Sequence, residues 1–208
     1  MTSHRTSPDG DLMESTYREI YARFDAAQGV VPATGPAAIT VLLRKALLAL
    51  GVEDADGARR FVGEARGVPP GPGVPAPVLL PLALQLLDEE LQRAADRDGG
   101  EWFDALQSCL VEPEDDVTRV ALATMASVAQ HHALSPWMAG VIEEYRREYR
   151  AADPATVVER VAAGRADEGD AVLAVLTVAS SLEEAGDLAD EKEEFDSGPE
   201  PDDGHPWG

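Results

Sequence analysis

The 208-residue sequence is poor in cysteine and in long apolar runs. Its only cysteine is Cys109, so a disulfide framework and a cysteine-based zinc site are excluded. No apolar stretch of signal-peptide length follows the N-terminal residues. The longest apolar runs, Val74 to Leu87 and Ala171 to Ala179, are too short to cross about 30 Å of hydrocarbon. We therefore expect a cytoplasmic protein without a transmembrane helix.

Alternation of apolar and polar residues, the pattern of half-buried strands, is almost absent. Apolar residues instead recur at three-to-four spacing through most of the chain, which is typical of amphipathic helices. We predict an all-α, compact multi-helix domain of about eight or nine helices over residues 11–186, after a flexible segment 1–10. The stretch 67–77 holds five prolines and three glycines and predicts an extended connector inside this domain. Whether the helices before and after it share one core is left open.

Capping residues, prolines and glycines place the helix boundaries. A segment apolar on nearly all sides except at Arg44-Lys45 is expected in the middle of the bundle, whereas Asp88-Glu89-Glu90 is expected at an exposed helix end. The predicted helices are about Asp11 to Gln28, Ala37 to Leu50, Asp54 to Arg66, Pro77 to Arg97, Glu101 to Leu110, Pro113 to Ala133, two helices opened by Ser135-Pro136 and Asp153-Pro154, and Asp170 to Ala185.

Negative charge is what the sequence has in excess. With 39 acidic and 17 basic residues its net charge is −22, which opposes direct binding to nucleic acid or to an anionic membrane. Residues 187–208 hold nine acids and one lysine, the composition of a disordered tail. The rest of the chain is also acidic, at −14. The scarcity of lysine beside abundant arginine, alanine, glycine and proline is typical of a bacterial genome rich in G and C.

Two histidines, an aspartate pair and the cysteine are the candidates for a metal or catalytic site. His131 and His132 point about 100° apart on a helix and lack the glutamates of a helical di-iron site. Asp115-Asp116 lacks the third aspartate that a diphosphate-binding magnesium site needs, since position 119 is arginine. Cys109 lies at an apolar helix end, the usual place of a structural thiol. We predict no catalytic residue, no metal site and no cofactor.

The predicted function is that of a non-enzymatic interaction or regulatory protein whose acidic surface binds a basic protein partner. Two alternatives stay open. One is an inhibitor, immunity-like protein or nucleic-acid mimic; the other is a helical carrier or enzyme whose apolar pocket is lined by Trp102, Met125, Trp137 and Met138. Homo-oligomerisation is also compatible with the sequence. The predicted partner-binding residues are Asp115, Asp116, Glu193, Glu194, Asp202, Asp203 and Trp207.

Overall fold

The computed structural model describes residues 8–71, 79–97, 101–112, 115–131, 136–148 and 167–196, with the backbone alone described at 8–12, 101, 129–131, 146, 148 and 184–196. These ranges contain no β-strand, and the all-α fold class is confirmed. The helices are α1 (Pro8–Gln28), α2 (Gly35–Gly51), α3 (Ala55–Arg66), α4 (Leu79–Asp96), α5 (Glu101–Ser108), α6 (Asp116–His131), α7 (Pro136–Glu148) and α8 (Glu168–Asp196). The helix predicted from Asp153-Pro154 lies outside the described residues.

Helix α8 is the centre of the fold. It packs against α2, α3, α4, α5 and α6, so its side chains meet protein on several sides. Its run from Ala171 to Ala179 is accordingly buried at nearly every position, as a helix without a polar face requires. Helix α2, the other strongly apolar segment, contacts α1, α3, α4 and α8. These two helices carry the core that the remaining helices cover.

The helices before and after the connector share one core. A single cluster of buried side chains runs from Tyr21 in α1 to Leu182 in α8 and includes Phe61 in α3 and Phe103 in α5. The question that the sequence left open is thus answered for the described residues. Helix α3, with Phe61 and Val62 buried, covers one side of this core.

Polar contacts tie the start of α8 to both ends of the connector. Arg66, the last residue of α3, donates to both oxygens of Asp167 at 3.0 and 3.1 Å. The Arg66 guanidinium, together with the donated N–H of Gly169, holds the pKa of the Asp167 carboxyl below its usual range. Glu168 Oε1 accepts the N–H groups of Leu79 and Leu80 at 2.9 and 3.4 Å, which satisfies free donors at the N-terminus of α4. Two consecutive acids at the start of α8 therefore hold the end of α3 and the start of α4.

Three boundaries differ from the prediction by three residues or more. Helix α1 begins at Pro8 rather than Asp11, because proline suits a first helical position. Helix α6 begins at Asp116 rather than Pro113, since Asp115 caps it. Helix α8 continues to Asp196 rather than ending near Ala185, because alanine, leucine, glutamate and lysine in this stretch favour helix.

No helix in the described ranges combines the length and the apolar character needed to span a membrane. Of the predicted tail 187–208, residues 187–196 carry the helical backbone of α8. Residues 197–208 lie outside the described part of the chain.

Candidate functional site

A groove of about 890 Å³ runs between α1 and α3, with Lys45 of α2 at its base. Five acidic and three basic side chains line it, together with aromatic and apolar groups. Met13 at one end is 55% exposed, and Tyr17 is half-buried. We call this feature the α1/α3 groove. It combines an excess of acidic side chains with one exposed apolar side chain, Met13.

The floor of the groove is held by one carboxylate that joins two helices. Asp54 Oδ1 accepts the N–H of Gly57 at 2.8 Å, which caps the N-terminus of α3. Asp54 Oδ2 accepts the hydroxyl of Tyr21 from α1 at 2.5 Å. The Tyr21 ring also meets Phe61 edge to face, with ring centroids 4.9 Å apart. The carboxylate and the ring pair therefore set the position of α1 against α3.

Two cations lie over these rings. Lys45 Nζ is 5.1 Å from the centroid of Phe61, and the Arg60 guanidinium carbon is 4.7 Å from the same centroid. Such contacts are worth about 0.5–1 kcal/mol at exposed sites and more when desolvated. Lys45 also donates to both oxygens of Asp25 at 2.7 and 2.6 Å. The groove thus already places cations on its aromatic surface.

Ion pairs leave the groove with an excess of negative charge. Arg18 pairs with Glu14 at 3.0 Å, Lys45 with Asp25 at 2.6 Å, and Arg60 with Glu64 at 3.9 Å. These pairs use all three bases of the lining. Asp54 accepts the hydrogen bonds of Gly57 and Tyr21, and Asp56, whose side chain is 99% exposed, pairs at 3.4 Å with Arg59, which lies outside the lining. The net charge of the lining is therefore −2.

Tyr21 is expected to ionise at an unusually high pH. Burial, then the hydrogen bond to Asp54 and the charge of that carboxylate, raise the pKa of Tyr21 well above the ordinary value of 10.0. Because the folded state holds this proton more tightly than the unfolded chain, the stabilisation is complete below pH 10.0 and declines as the pH rises towards the raised pKa. Absorbance at alkaline pH should show a tyrosine that ionises after the others.

Two substitutions test whether the ionisation at high pH belongs to Tyr21 and depends on Asp54. Tyr21→Phe is expected to remove it, and Asp54→Asn is expected to move it to lower pH, because the neutral amide no longer opposes a tyrosinate. If all four tyrosines ionise together in the folded protein, the Tyr21–Asp54 hydrogen bond is contradicted. At neutral pH the hydroxyl is a donor, so this pair acts in positioning the helices.

Of the residues predicted to bind a partner, Asp115 and Asp116 have described side chains. Asp115 uses both carboxylate oxygens within its own chain: Oδ1 accepts the N–H of Thr118 at 2.7 Å, and Oδ2 accepts its hydroxyl at 2.8 Å. Asp116 is half-buried in the first turn of α6. Glu193 and Glu194 belong to the backbone of α8, and their side chains lie outside the description. Asp202, Asp203 and Trp207 lie outside the described residues altogether.

The residues considered for an apolar ligand pocket do not line either cavity described here. Trp102 and Met125 are packed in the core, at 5% and 0% exposed, while Trp137 is 67% exposed. The two cavities, the α1/α3 groove and a smaller one beside α4, have charged as well as apolar walls. The structure therefore adds no support to a binding site built from these side chains.

Within the described ranges, no group of three or more histidine, cysteine, aspartate or glutamate residues is placed to hold a metal ion. Cys109 is buried, and its thiol lies 3.5 Å from the carbonyl oxygen of Ala105 and 3.4 Å from the hydroxyl of Ser181. A thiol in such surroundings serves packing between α5 and α8.

Sequence reasoning missed the groove because its residues are scattered over three helices. The available signal was the pair Arg44-Lys45, which interrupts an otherwise apolar helix. Lys45 reaches Asp25 of α1, and Arg44 reaches Glu89 of α4 at 2.8 Å. Comparison of the chain with protein-family models, with curated proteins and with solved structures finds no match.

Proposed function

We propose that this chain is a non-enzymatic interaction protein whose α1/α3 groove binds a basic, amphipathic segment of a partner protein. The observation that carries the proposal is the groove itself: a lining in which acids outnumber bases by two, with exposed Met13 and half-buried Tyr17 as its apolar contacts. A helical segment with lysines or arginines on one face and apolar residues on the other suits that combination.

The charge of the whole chain supports the same assignment. A net charge of −22 attracts a basic partner over long range and raises the rate of encounter. The groove then supplies the local contacts: Glu14 of α1 and Asp56 and Glu64 of α3 line it, each in an exposed ion pair that a partner can exchange. Steering of this kind weakens as salt screens exposed charges beyond about 10 Å at 0.1 M. We place the function in the cytoplasm, where a chain with one cysteine needs no disulfide.

The binding test uses a synthetic helical peptide of leucine and lysine, with a leucine and glutamate peptide of the same pattern as control. The groove variant Glu14→Gln, Glu64→Gln removes one acid from each side and cancels the net charge of the lining. We expect it to weaken binding about threefold to tenfold, mainly through a slower association rate. The matched variant Glu112→Gln, Glu144→Gln changes two exposed glutamates outside the groove and is expected to bind like the original chain.

Comparison of the two variants tests whether the basic peptide binds in the α1/α3 groove. Equal losses in both would mean that charge acts over the whole surface, and the groove would be rejected. Binding of the acidic peptide as strongly as the basic one would reject the charge preference. The association constant should also fall as salt rises, with a smaller slope for the groove variant.

A natural partner captured from a lysate tests the remaining predicted residues. Capture by the full chain is compared with capture by Asp202→Asn, Asp203→Asn and by Trp207→Ala. Loss of a basic partner in either variant would place a second contact in the C-terminal segment. Displacement of that partner by double-stranded DNA would favour the alternative of a nucleic-acid mimic, since both ligands would then share one basic surface.

A further inference from the structure

A second cavity, of about 190 Å³, lies where α1, α2, α4 and α8 meet. Its apolar walls come from Phe24, Leu47, Leu48 and Leu86. Glu90 of α4 also borders it, together with three further charged residues, Arg44, Arg93 and Glu183. We call it the Glu90 cavity. It is separate from the α1/α3 groove, with which it shares none of its lining residues.

Glu90 is the unusual residue of this cavity. The sequence predicted an exposed position for it, and this is wrong: Glu90 is only 4% exposed, whereas its neighbour Asp88 is exposed. The reason is that Glu90 shares a helical face with Leu86 and Leu87, both buried in α4, and that face turns towards the core. A glutamate is almost never fully buried without a partner.

Only one of the two carboxylate oxygens of Glu90 accepts a hydrogen bond from the described residues. Glu90 Oε1 accepts a hydrogen bond from Arg93. Among the described residues, Oε2 is buried and accepts none. A buried acceptor without a partner costs free energy, and such groups in native proteins call for an explanation by a bound molecule or ion. The terminal torsion of glutamate is broad, so the carboxylate can turn Oε2 towards the cavity.

The carboxylate of Glu90 favours a donor that is positively charged, because hydrogen bonds between two charged groups are the stronger ones. Arg44 is held by Glu89 at 2.8 Å, and Gln85 donates to the other oxygen of Glu89 at 3.3 Å. Arg93 is held by Glu90. Glu183 adds a further negative charge from α8. The lining thus holds two glutamates and two arginines, and both arginines already donate to carboxylates. A charged N–H group at Oε2 would form a charge-assisted hydrogen bond, which is stronger than that of a neutral donor.

We propose that the Glu90 cavity binds a small organic cation, a primary ammonium on an aliphatic or aromatic body. The ammonium donates to Glu90 Oε2, and its apolar body lies among Phe24, Leu47, Leu48 and Leu86. A cavity of about 190 Å³ has room for several water molecules, each of which takes about 30 Å³ in the liquid. A body of six carbons fits that space.

The test is titration of the full chain with hexylammonium, followed by ligand-observed NMR and calorimetry. Hexanol and hexanoate carry the same body with a neutral or a negative head. We expect hexylammonium to bind, hexanol to bind at least about tenfold more weakly, as expected for loss of a charge-assisted hydrogen bond, and hexanoate not to bind. Hexanol binding as tightly as hexylammonium would overturn the proposal.

Variants then locate the site. Glu90→Gln keeps the shape of the side chain and removes its charge, and we expect it to weaken hexylammonium binding about tenfold or more. Asp88→Asn removes the same charge from an exposed position of α4 and is expected to leave binding unchanged. Equal weakening in both variants would show non-specific attraction to an acidic chain and would overturn the proposal.

A cavity-filling variant distinguishes loss of the binding site from a folding defect caused by Glu90→Gln. Leu48→Phe narrows the cavity without changing any charge, and circular dichroism confirms that each variant is folded. We expect Leu48→Phe to reduce hexylammonium binding as Glu90→Gln does. Unchanged binding of hexylammonium in Leu48→Phe would overturn the proposal. So would the absence of hexylammonium binding to the original chain, because water alone would then satisfy Glu90.

Discussion

Gly57→Ala is expected to destabilise the protein, although the same change at Gly63 of the same helix is expected to stabilise it. A Cβ atom at position 57 would lie 2.1 Å from Asp54 Oδ2 and 2.8 Å from the Tyr21 hydroxyl oxygen. Both separations are too short, so the Asp54 carboxylate has to move. At Gly63 a Cβ atom meets nothing within 4 Å.

The expected free energies differ in sign. Displacing Asp54 forfeits the cap of α3, worth about 1 kcal/mol, and leaves Tyr21 without an acceptor, at about 1–3 kcal/mol. The higher helix propensity of alanine than of glycine raises the free energy of unfolding by about 1 kcal/mol. We expect Gly57→Ala to lower the free energy of unfolding by about 1–3 kcal/mol and Gly63→Ala to raise it by about 0.5–1 kcal/mol. Urea denaturation measures both.

A cycle of substitutions checks the cause. In a chain that carries Asp54→Ala and Tyr21→Phe, the atoms that collide with the new methyl group are gone. Gly57→Ala should then stabilise the helix as Gly63→Ala does, and the coupling appears as non-additivity. If Gly57→Ala costs the same free energy in both backgrounds, the account of the groove floor is wrong.

Leu176→Ala is expected to be the more damaging of two substitutions in α8. Leu176 is fully buried in the central helix, and removing its branched side chain leaves a cavity among the packed neighbours. Substitutions of this kind cost about 2–5 kcal/mol, out of a total stability of about 5–15 kcal/mol for a typical domain. We expect the urea midpoint to fall accordingly, with the slope of the transition unchanged.

Leu173→Ala is the matched comparison. It makes the same chemical change in the same helix, but Leu173 is only half-buried. Its cost should therefore be clearly smaller, since less apolar surface returns to water. Equal costs at the two positions would contradict the placement of α8 at the centre of the bundle.

The fold class could be predicted because helical periodicity is a local property. Each segment shows its own apolar spacing, and prolines, glycines and caps mark its ends without reference to other segments. Asp54 and Pro136 were recognised in this way as helix-opening residues, at α3 and α7. The apolar run of α8, which the sequence showed to be too short to cross a membrane, is buried in the core.

The roles of individual acids could not be predicted in the same way. Asp115 appeared as one member of an acidic cluster, and Glu90 as one member of another. In the structure Asp115 caps α6, and Glu90 enters the core. A run of acids shows where charge is concentrated, but which acid turns inward depends on which neighbouring helix covers that side.

The amino-acid sequence by itself determined that this protein is helical, acidic and stabilised by an ordinary apolar core. Only the tertiary structure decided which charged side chains meet. Arg44 and Lys45 are neighbours in sequence, yet one reaches α4 and the other reaches α1, because successive residues of a helix point about 100° apart. Partners at separations of 45 and 20 residues are fixed by how the helices pack, and local spacing carries no information about that packing.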